Sequence, residues 1–153
     1  MIEIRRVSDE SDFERLYDLF VEYEADLPPE LRHGVVPAMP GLRATYTGKS
    51  AAFMALSEGE AMGCVAVREL GPDTALLLRL FVRPARRGLG AARLLTKAAI
   101  AHARESGCRR IVLDTNREQL EPAYRLYQSL GFVECEPFAE VAYEFPTFME
   151  LLL

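Results

Sequence analysis

The sequence predicts a single domain of the α/β class, built on a mixed β-sheet. Its 153 residues are half hydrophobic, and a chain of about 150 residues buries roughly two thirds of its unfolded surface, enough for a proper core. Three nearly continuous apolar runs lie between residues 51 and 82, and two amphipathic segments follow them. Such runs are typical of strands covered on both faces, and such segments are typical of helices packed on a sheet. We therefore expect one domain over residues 1–153.

The N-terminal third begins with a strand and a helix. The alternating segment "IEIRRV" predicts the strand. In "SDESDFERLYDLFVEYEADL", apolar residues such as Phe13 and Tyr23 recur on one helical face. Ser8 and Asp9 are the candidate N-caps of this helix. Residues 28–50 are rich in Pro and Gly and predict at most a short helix.

Three strands and a helix make up the middle of the chain. The segments "AAFMALS", "AMGCVAVREL" and "TALLLRLFV" predict successive strands, joined by tight turns at "EGE" and "GPD". The helix is expected over about residues 89–105, where apolar and cationic rows alternate, and Gly107 ends it.

A strand, a helix and two further strands are expected at the end of the chain. The strand is "RRIVLDT", and the helix is "EPAYRLYQSLGF", with Pro122 at an allowed first-turn position and Gly131 as its stop. The last two strands are "FVECEPF" and "YEFPTFMELLL". The predicted order is βα(α)βββαβαββ.

Composition limits the classes of partner. The net charge of −5 disfavours a general nucleic-acid binder, because non-specific affinity for DNA comes mainly from Lys and Arg. No apolar run approaches the roughly 18 residues of a membrane span. Cys64, Cys108 and Cys135 are odd in number and lack zinc-ligand spacing. We therefore expect reduced thiols, no metal, and a cytoplasmic protein that binds neither nucleic acid nor a membrane.

The turn before the middle helix has an unusual charge. Arg83, Arg86 and Arg87 crowd the positive end of a helix dipole, where cations are disfavoured and anions are favoured. Gly88 and Gly90 lack a Cβ, so backbone N–H groups can approach a ligand closely, and the first amides of a helix are unsatisfied donors. This combination suits a pyrophosphate. The alternative is a solvated arginine cluster with glycines that only shape the loop.

The sequence also comes close to two other phosphate-binding motifs, but each motif is mismatched at one position. "TGKS" at residues 47–50 resembles the end of a P-loop, but Arg43 stands where that motif requires glycine. The dinucleotide-binding pattern that would begin at Gly88 has Arg93 in place of its third glycine. Neither a P-loop nor a dinucleotide-binding site is therefore expected.

Two segments carry a resemblance to a known family. "RGLGAA" at residues 87–92, three residues after "VRP", resembles the [Q/R]-x-x-G-x-[G/A] loop that binds the acetyl-CoA pyrophosphate in the GNAT superfamily of N-acetyltransferases. "AYRLYQSLGF" at residues 123–132 resembles the A-x-x-L-Y-x-x-x-G-F helix of that superfamily. Residues 51–153 resemble a bacterial branch of small GNAT proteins. The resemblance implies a GNAT fold, with about seven strands flanked by about four helices, and an acyltransferase that uses acetyl-CoA as cosubstrate.

The resemblance also implies site residues. The end of the strand before the loop would be splayed from its neighbour and lend backbone N–H groups to the thioester carbonyl and pantetheine. Loop amides would bind the pyrophosphate, with Arg86 or Arg87 adding charge. The cofactor-binding residues would be Leu80, Phe81, Val82, Arg86, Arg87, Gly88, Leu89, Gly90, Ala91, Ala92, Asn116 and Tyr127.

Tyr127 is the expected catalytic residue. By the resemblance it is the general acid that protonates the departing thiolate. The chemistry suits this role, because a phenol with a pKa near ~10 can protonate a thiolate whose conjugate acid has a similar pKa. A core aromatic on the buried stripe of the helix is the alternative.

The sequence departs from the family pattern at two places. Leu120 stands where many relatives carry an asparagine that contacts the cofactor, so that contact is missing or is supplied by Asn116. The strand "TALLLRL" also lacks the acid that serves as general base in many relatives. The base is therefore left open among Glu69, Asp114, Glu22, Glu24 and a chain of water molecules.

The expected activity is acetyl transfer to a primary amine of a small molecule or peptide, by direct attack in a ternary complex. Residues 26–50 and 138–148 would line the acceptor side, but they carry no readable motif. Arg79 lies among leucines and must find a partner or a ligand, because an unpaired buried charge is costly. A CoA-binding sensor without turnover and an interaction domain without ligand are the alternatives. The final strand could pair across a homodimer.

Overall fold

One seven-stranded sheet organises the chain, and the computed structural model describes all residues 1–153. The helices are α1 (Glu10–Asp26), α2 (Met39–Thr45), α3 (Ala91–Glu105) and α4 (Glu121–Ser129). The strands are β1 (Ile2–Arg6), β2 (Ala51–Ser57), β3 (Glu60–Glu69), β4 (Thr74–Val82), β5 (Arg110–Thr115), β6 (Val133–Glu134) and β7 (Thr147–Leu152). Short 3-10 turns occupy Pro29–Leu31 and Pro84–Arg86. No helix combines the length and the apolar character that a bilayer crossing requires.

The sheet is mixed, as predicted. Its strand order is β1-β2-β3-β4-β5-β7-β6, and only the β4–β5 pair is parallel. The predicted α/β class, the seven strands and the four helices are confirmed. The parallel pair needs a crossover, and α3 supplies it between β4 and β5.

Two hydrophobic clusters lie on opposite faces of this sheet. The first packs α3 and Tyr127 of α4 against the sheet, and the second packs α1 and α2 against the other face. β3 runs between them, and its residues 61–67 are all buried. This double burial explains the continuous apolar run in the sequence.

The ends of two elements differ from the sequence expectation. α3 begins at Ala91, because Gly90 adopts a left-handed conformation with φ of 91°. β6 has only two residues rather than the whole of "FVECEPF". Pro137 has no N–H to donate to a ladder, and the chain leaves the sheet in a long excursion before β7. At the start of α1, Asp9 is the N-cap and accepts a hydrogen bond from the backbone N of Asp12 at 2.8 Å.

The central feature for function is a wedge between β4 and β5. The two strands pair only at their first residues, where Thr74 to Leu76 oppose Arg110 to Val112. β4 then continues to Val82 along β3, while β5 continues to Thr115 along β7. The splayed strand end that the resemblance implied is therefore present, and the β5-facing edge of β4 has no partner strand beyond Leu76.

Candidate functional site

A run of unpaired backbone donors lies where β4 gives way to α3. Gly88 and Gly90 have φ angles of 83° and 91°, which only glycine adopts without strain. No side chain caps α3, and none of the backbone N–H groups from residues 88 to 93 donates to a protein acceptor. These donors sit at the positive end of the α3 dipole, so the turn is built to bind an anion.

The arginines of this turn have carboxylate partners. Arg83 makes two hydrogen bonds to the Glu22 carboxylate, at 2.9 and 2.8 Å, which raise the pKa of its guanidinium. Arg86 pairs with Glu60 at 2.7 Å. The cations at the positive end of the helix dipole are therefore balanced by acids from α1 and from the first residue of β3. The positive potential of the turn then comes first from its backbone amides.

Arg87 joins the turn to α1. Its guanidinium lies 2.7 Å from Asp26 and donates to the carbonyl of Val82 at 2.9 Å. Half of its side chain stays exposed, so part of its donor set is free for a ligand. Leu89 of the same loop is exposed, and Ala91 and Ala92 form the first turn of α3. The predicted loop residues are thus brought together at one edge of the wedge.

The end of β4 presents backbone rather than side chains to the wedge. The side chains of Phe81 and Val82 are buried, and Leu80 packs against the first hydrophobic cluster. Gly63 on β3 makes this arrangement possible, because a Cβ there would lie 2.2 Å from the Phe81 carbonyl oxygen. Gly63 was not singled out from the sequence, although a glycine inside an apolar strand is a known sign of close backbone approach.

Tyr127 reaches the wedge from α4. Its ring is buried and packs at 5.6 Å from the ring of Phe132, while its hydroxyl has no hydrogen-bond partner in the protein. Burial raises the pKa of Tyr127 above its usual value, and the nearby Tyr23 and Asp114 raise it further. The phenol is therefore neutral and holds its proton. A ring in the core and a hydroxyl without a protein partner are compatible. Tyr127 can therefore be both a core aromatic and a candidate general acid.

Asn116 is largely committed to the backbone after β5. Its Oδ1 accepts hydrogen bonds from the backbone N–H groups of Glu118 and Gln119 at 3.1 and 2.9 Å. Its carbonyl accepts from Leu120 at 2.8 Å. Only the side-chain NH2 group is left for a ligand, so the expected cofactor contact depends on that group alone.

The candidate bases differ in their positions. Glu69 pairs with Ala75 in the β3–β4 ladder, whereas the open end of β4 pairs with Gly63. Six residues of strand separate the two places, a distance of about 20 Å. Glu22 is engaged by Arg83.

Two of the candidate carboxylates, Asp114 and Glu24, have partners other than arginine. Asp114 accepts a hydrogen bond from the hydroxyl of Tyr143 at 2.7 Å. Glu24 is 8% exposed and lies 2.9 Å from Nδ1 of His33, with a second contact to the backbone N of that residue. His33 lies in the Pro- and Gly-rich segment between α1 and α2. The pairing of His33 with Glu24 depends on the fold of residues 27–33, and no local sequence pattern predicts that fold.

All three cysteines are free thiols, and only Cys64 is fully buried. Burial raises the pKa of Cys64, so this thiol is not prepared as a nucleophile. No group of three or more His, Cys, Asp or Glu side chains forms a metal-binding cluster.

Comparisons with known proteins agree with this geometry. The family described as Acetyltransferase (GNAT) family matches residues 13–132. An uncharacterized N-acetyltransferase of Schizosaccharomyces pombe is 46% identical over 81 residues, which are 52% of this chain and 49% of that protein. The uncharacterized N-acetyltransferase YsnE of Bacillus subtilis is 31% identical over 115 residues, which are 74% of this chain and 72% of that protein. This chain therefore spans about half the length of the first relative.

Solved structures share the fold over nearly the whole chain. The putative acetyltransferase yncA of Salmonella typhimurium, determined with its cofactor acetyl-CoA, aligns with a TM-score of 0.81 at 21% identity, over 99% of this chain and 93% of that one. The spermidine N-acetyltransferase of Vibrio cholerae, in complex with CoA and spermine, aligns with a TM-score of 0.70 at 20% identity, over 99% of this chain and 95% of that one.

Proposed function

Because this chain belongs to the GNAT acetyltransferase family, we propose that it transfers an acetyl group from acetyl-CoA to a primary amine within a ternary complex. The family match covers most of the chain and confirms the predicted family and the acyltransferase class. The observation that carries the proposal is the run of unpaired N–H groups over residues 88–93 beside the open edge of β4.

The residues present fit the donor molecule. Free amides at the start of α3 match the oxygens of a pyrophosphate, and the exposed part of Arg87 adds a charged donor. The unpaired edge of β4 offers further backbone donors along Leu80 to Val82. When bound, acetyl-CoA supplies an activated thioester, so that the amine nitrogen gains a C–N bond as the C–S bond breaks and CoA leaves as the thiol.

Tyr127 is proposed to hold and deliver the proton for the departing sulfur. Its hydroxyl is free of protein partners, and its raised pKa keeps it protonated throughout the neutral range. A proton donor placed beside the sulfur offsets the negative charge that develops as the C–S bond breaks. Asn116, through its side-chain NH2 group, is the remaining proposed contact on this side of the wedge.

Glu24 and His33 are proposed to take the proton that the attacking amine loses. The Glu24 carboxylate holds Nδ1–H of His33, which leaves Nε2 as the acceptor of a proton. The imidazole stacks on Tyr23 at 6.0 Å, and Tyr23 contacts Phe81 at the end of β4 at 6.2 Å between ring centroids. The pair is thus connected to the open strand edge by one aromatic side chain.

The activity is tested in two steps. Acetyl-CoA should raise the unfolding midpoint, because a ligand that binds only the native state stabilises it. Release of free CoA thiol should then be followed across a panel of amines. Binding with no thiol release from any amine would favour the CoA-binding sensor, and no shift at saturating acetyl-CoA would contradict both proposals.

The assignment of the base has its own test. His33→Gln should lower kcat by about 100-fold with an unchanged dissociation constant for acetyl-CoA. Asp114→Asn is the matched comparison, since it removes the competing carboxylate. A larger loss of kcat in Asp114→Asn than in His33→Gln would transfer the role to Asp114.

A further inference from the structure

Arg79 occupies a bulge in β4, at the mouth of the wedge. Its φ of 55° lies in the left-handed region, and the β3–β4 register shifts opposite it, between Cys64 and Ala66. The residue lies three positions beyond Leu76, the last residue of β4 that pairs with β5. A non-glycine residue held in this conformation is a common feature of binding and catalytic sites, where the surroundings impose the geometry.

The guanidinium of Arg79 has no anionic partner. It lies 4.8 Å above the centroid of the Phe20 ring, and its Nη1 is fully buried without a hydrogen-bond partner. The contrast with the neighbouring turn is direct, because Arg83 and Arg87 each meet a carboxylate at less than 3 Å. A cation–π contact stabilises the charge but gives the buried Nη1 group no acceptor for its N–H bonds.

Two tyrosine hydroxyls lie in the same surroundings. Tyr23 and Tyr46 both come close enough to Arg79 for its charge to lower their pKa values, while burial raises both pKa values by more. Neither hydroxyl donates a hydrogen bond within the protein. Arg79, Tyr23 and Tyr46 therefore form a cluster with one positive charge, two phenol O–H donors and no carboxylate, which we call the donor cluster.

The donor cluster fits a carboxylate. A carboxylate has two oxygens with about four lone-pair sites and no donors, so it complements a guanidinium and two phenols. Pairing with arginine is geometrically favourable for this group, because the guanidinium presents parallel N–H bonds. The carboxylates nearby are already engaged, since Glu24 is paired with His33 and Asp114 with Tyr143.

The position of the donor cluster connects it to the proposed reaction. Tyr23 contacts both Phe81 at the end of β4 and His33 of the proposed base pair. We propose that the acceptor is a small amine of the amino-acid class, whose carboxylate is held by Arg79 with Tyr23 and Tyr46 while its amine faces the wedge. This proposal rests on the proposed function. The carboxylate of the acceptor is unchanged by acetyl transfer. The C–N bond that forms and the C–S bond that breaks are those described for the proposed function.

This class differs from polyamines. Spermine, the ligand named for the Vibrio cholerae enzyme, carries only cationic groups, which Arg79 would repel. A lysine side chain within a protein also lacks a carboxylate at the required place. The donor cluster therefore separates acceptors by charge.

The test compares matched acceptors. Thiol release is measured with the twenty common L-amino acids, their carboxamides, spermine and phosphoethanolamine at saturating acetyl-CoA. We expect at least one amino acid to exceed its carboxamide by about 100-fold in kcat/KM, the usual size of a lost charged contact. Arg79→Met should remove that preference and leave the dissociation constant of acetyl-CoA unchanged. Arg68→Met, at an exposed arginine also near Tyr46, is the charge-matched control and should keep the preference.

Several outcomes decide the proposal. Equal rates for amino acids and carboxamides, a preference for spermine or phosphoethanolamine, or an unchanged preference in Arg79→Met would each overturn it, while acetyl transfer itself would stand. If Arg79→Met does not fold, Tyr46→Phe replaces it and should raise KM for the amino acid but not for its carboxamide.

If no amine releases thiol, acetyl transfer fails, and calorimetry with the same amino acids and the CoA-bound protein decides on the donor cluster. Binding that Arg79→Met abolishes supports the carboxylate site. The absence of binding by any amino acid overturns it.

Discussion

The wedge has two sides, a proposed acetyl-donor side at the turn before α3 and a proposed acceptor side around Arg79. Their arginines differ in whether they pair with carboxylates. On the proposed donor side, Arg83, Arg86 and Arg87 each pair with an acid, and the backbone N–H groups of residues 88–93 are unpaired. On the proposed acceptor side, Arg79 pairs with no acid, and its buried Nη1 has no hydrogen-bond partner. The difference shows that a cluster of arginines in the sequence does not identify the arginine that lacks a carboxylate partner. The clustered arginines are paired with acids, although Arg87 keeps an exposed part, and Arg79 is the arginine without a carboxylate partner.

The largest expected effect is at Tyr127, where the two sides meet. Tyr127→Phe should lower kcat by about 10² to 10⁴-fold, because the departing sulfur loses its proton donor. The dissociation constant of acetyl-CoA should change far less than kcat. Tyr124→Phe is the matched control, since that tyrosine lies on the same helix but hydrogen-bonds to Glu134 at the surface. A kcat that is equal in both variants would contradict the general-acid role.

A backbone change tests how far the donor side depends on main-chain geometry. Gly63→Ala places a Cβ against the Phe81 carbonyl, and such overpacking should lower the free energy of unfolding by about 1–3 kcal/mol. Gly71→Ala is the control, because nothing lies within 4 Å of a Cβ there. Urea denaturation of both variants measures the difference. Equal stability would mean that β3 and β4 separate at little cost.

Charge reversal at the start of α3 separates ligand binding from helix stability. Arg93→Glu should weaken acetyl-CoA binding by about 10-fold, because the new carboxylate repels the pyrophosphate, although an acid at this end of a helix is itself stabilising. Arg104→Glu makes the same charge change at the far end of α3. The two dissociation constants are compared at low and high salt, where the difference should shrink. Unchanged affinity in Arg93→Glu would contradict the placement of the pyrophosphate.

The smallest expected effect is on alkaline stability. Burial raises the pKa of Tyr127 above its unfolded value of 10.0, so its contribution to the free energy of unfolding is complete below pH 10. That contribution declines as the pH rises further, because only the unfolded chain releases the proton readily. Tyr127→Phe should therefore flatten the loss of stability between pH 10 and 11. An unchanged slope would mean that this phenol ionises as easily in the folded protein.

The sequence predicted the donor side better than the acceptor side for a physical reason. Residues 87–92 are proposed to bind through consecutive backbone amides, and one short segment of sequence sets the arrangement of those amides. The donor cluster and the Glu24–His33 pair combine side chains from α1, from β4, from the loop after α1 and from Tyr46, the C-cap of α2. These side chains come together only because the elements pack against one another, and residue spacing within a single segment does not predict that packing.

Other differences have local causes that only the fold reveals. The pattern of β6 was apolar enough for a longer strand, but Pro137 and the excursion that follows end the ladder. Asn116 was predicted as a possible cofactor contact, and in the structure its Oδ1 closes the turn before α4. The wedge itself follows from the divergence of β4 and β5, which share only three register positions.

The two hydrophobic clusters have a consequence for how this protein can change. Tyr127 and α3 belong to one cluster, whereas Phe20 and Tyr46 beside Arg79 belong to the other, across the sheet. Substitutions that share no neighbours usually have additive free-energy costs, to within about 0.5 kcal/mol. Substitutions beside Arg79, in the second cluster, should therefore add to substitutions at Tyr127 and on α3 in their cost to stability, so the two sets can be varied together without a coupled loss of folding.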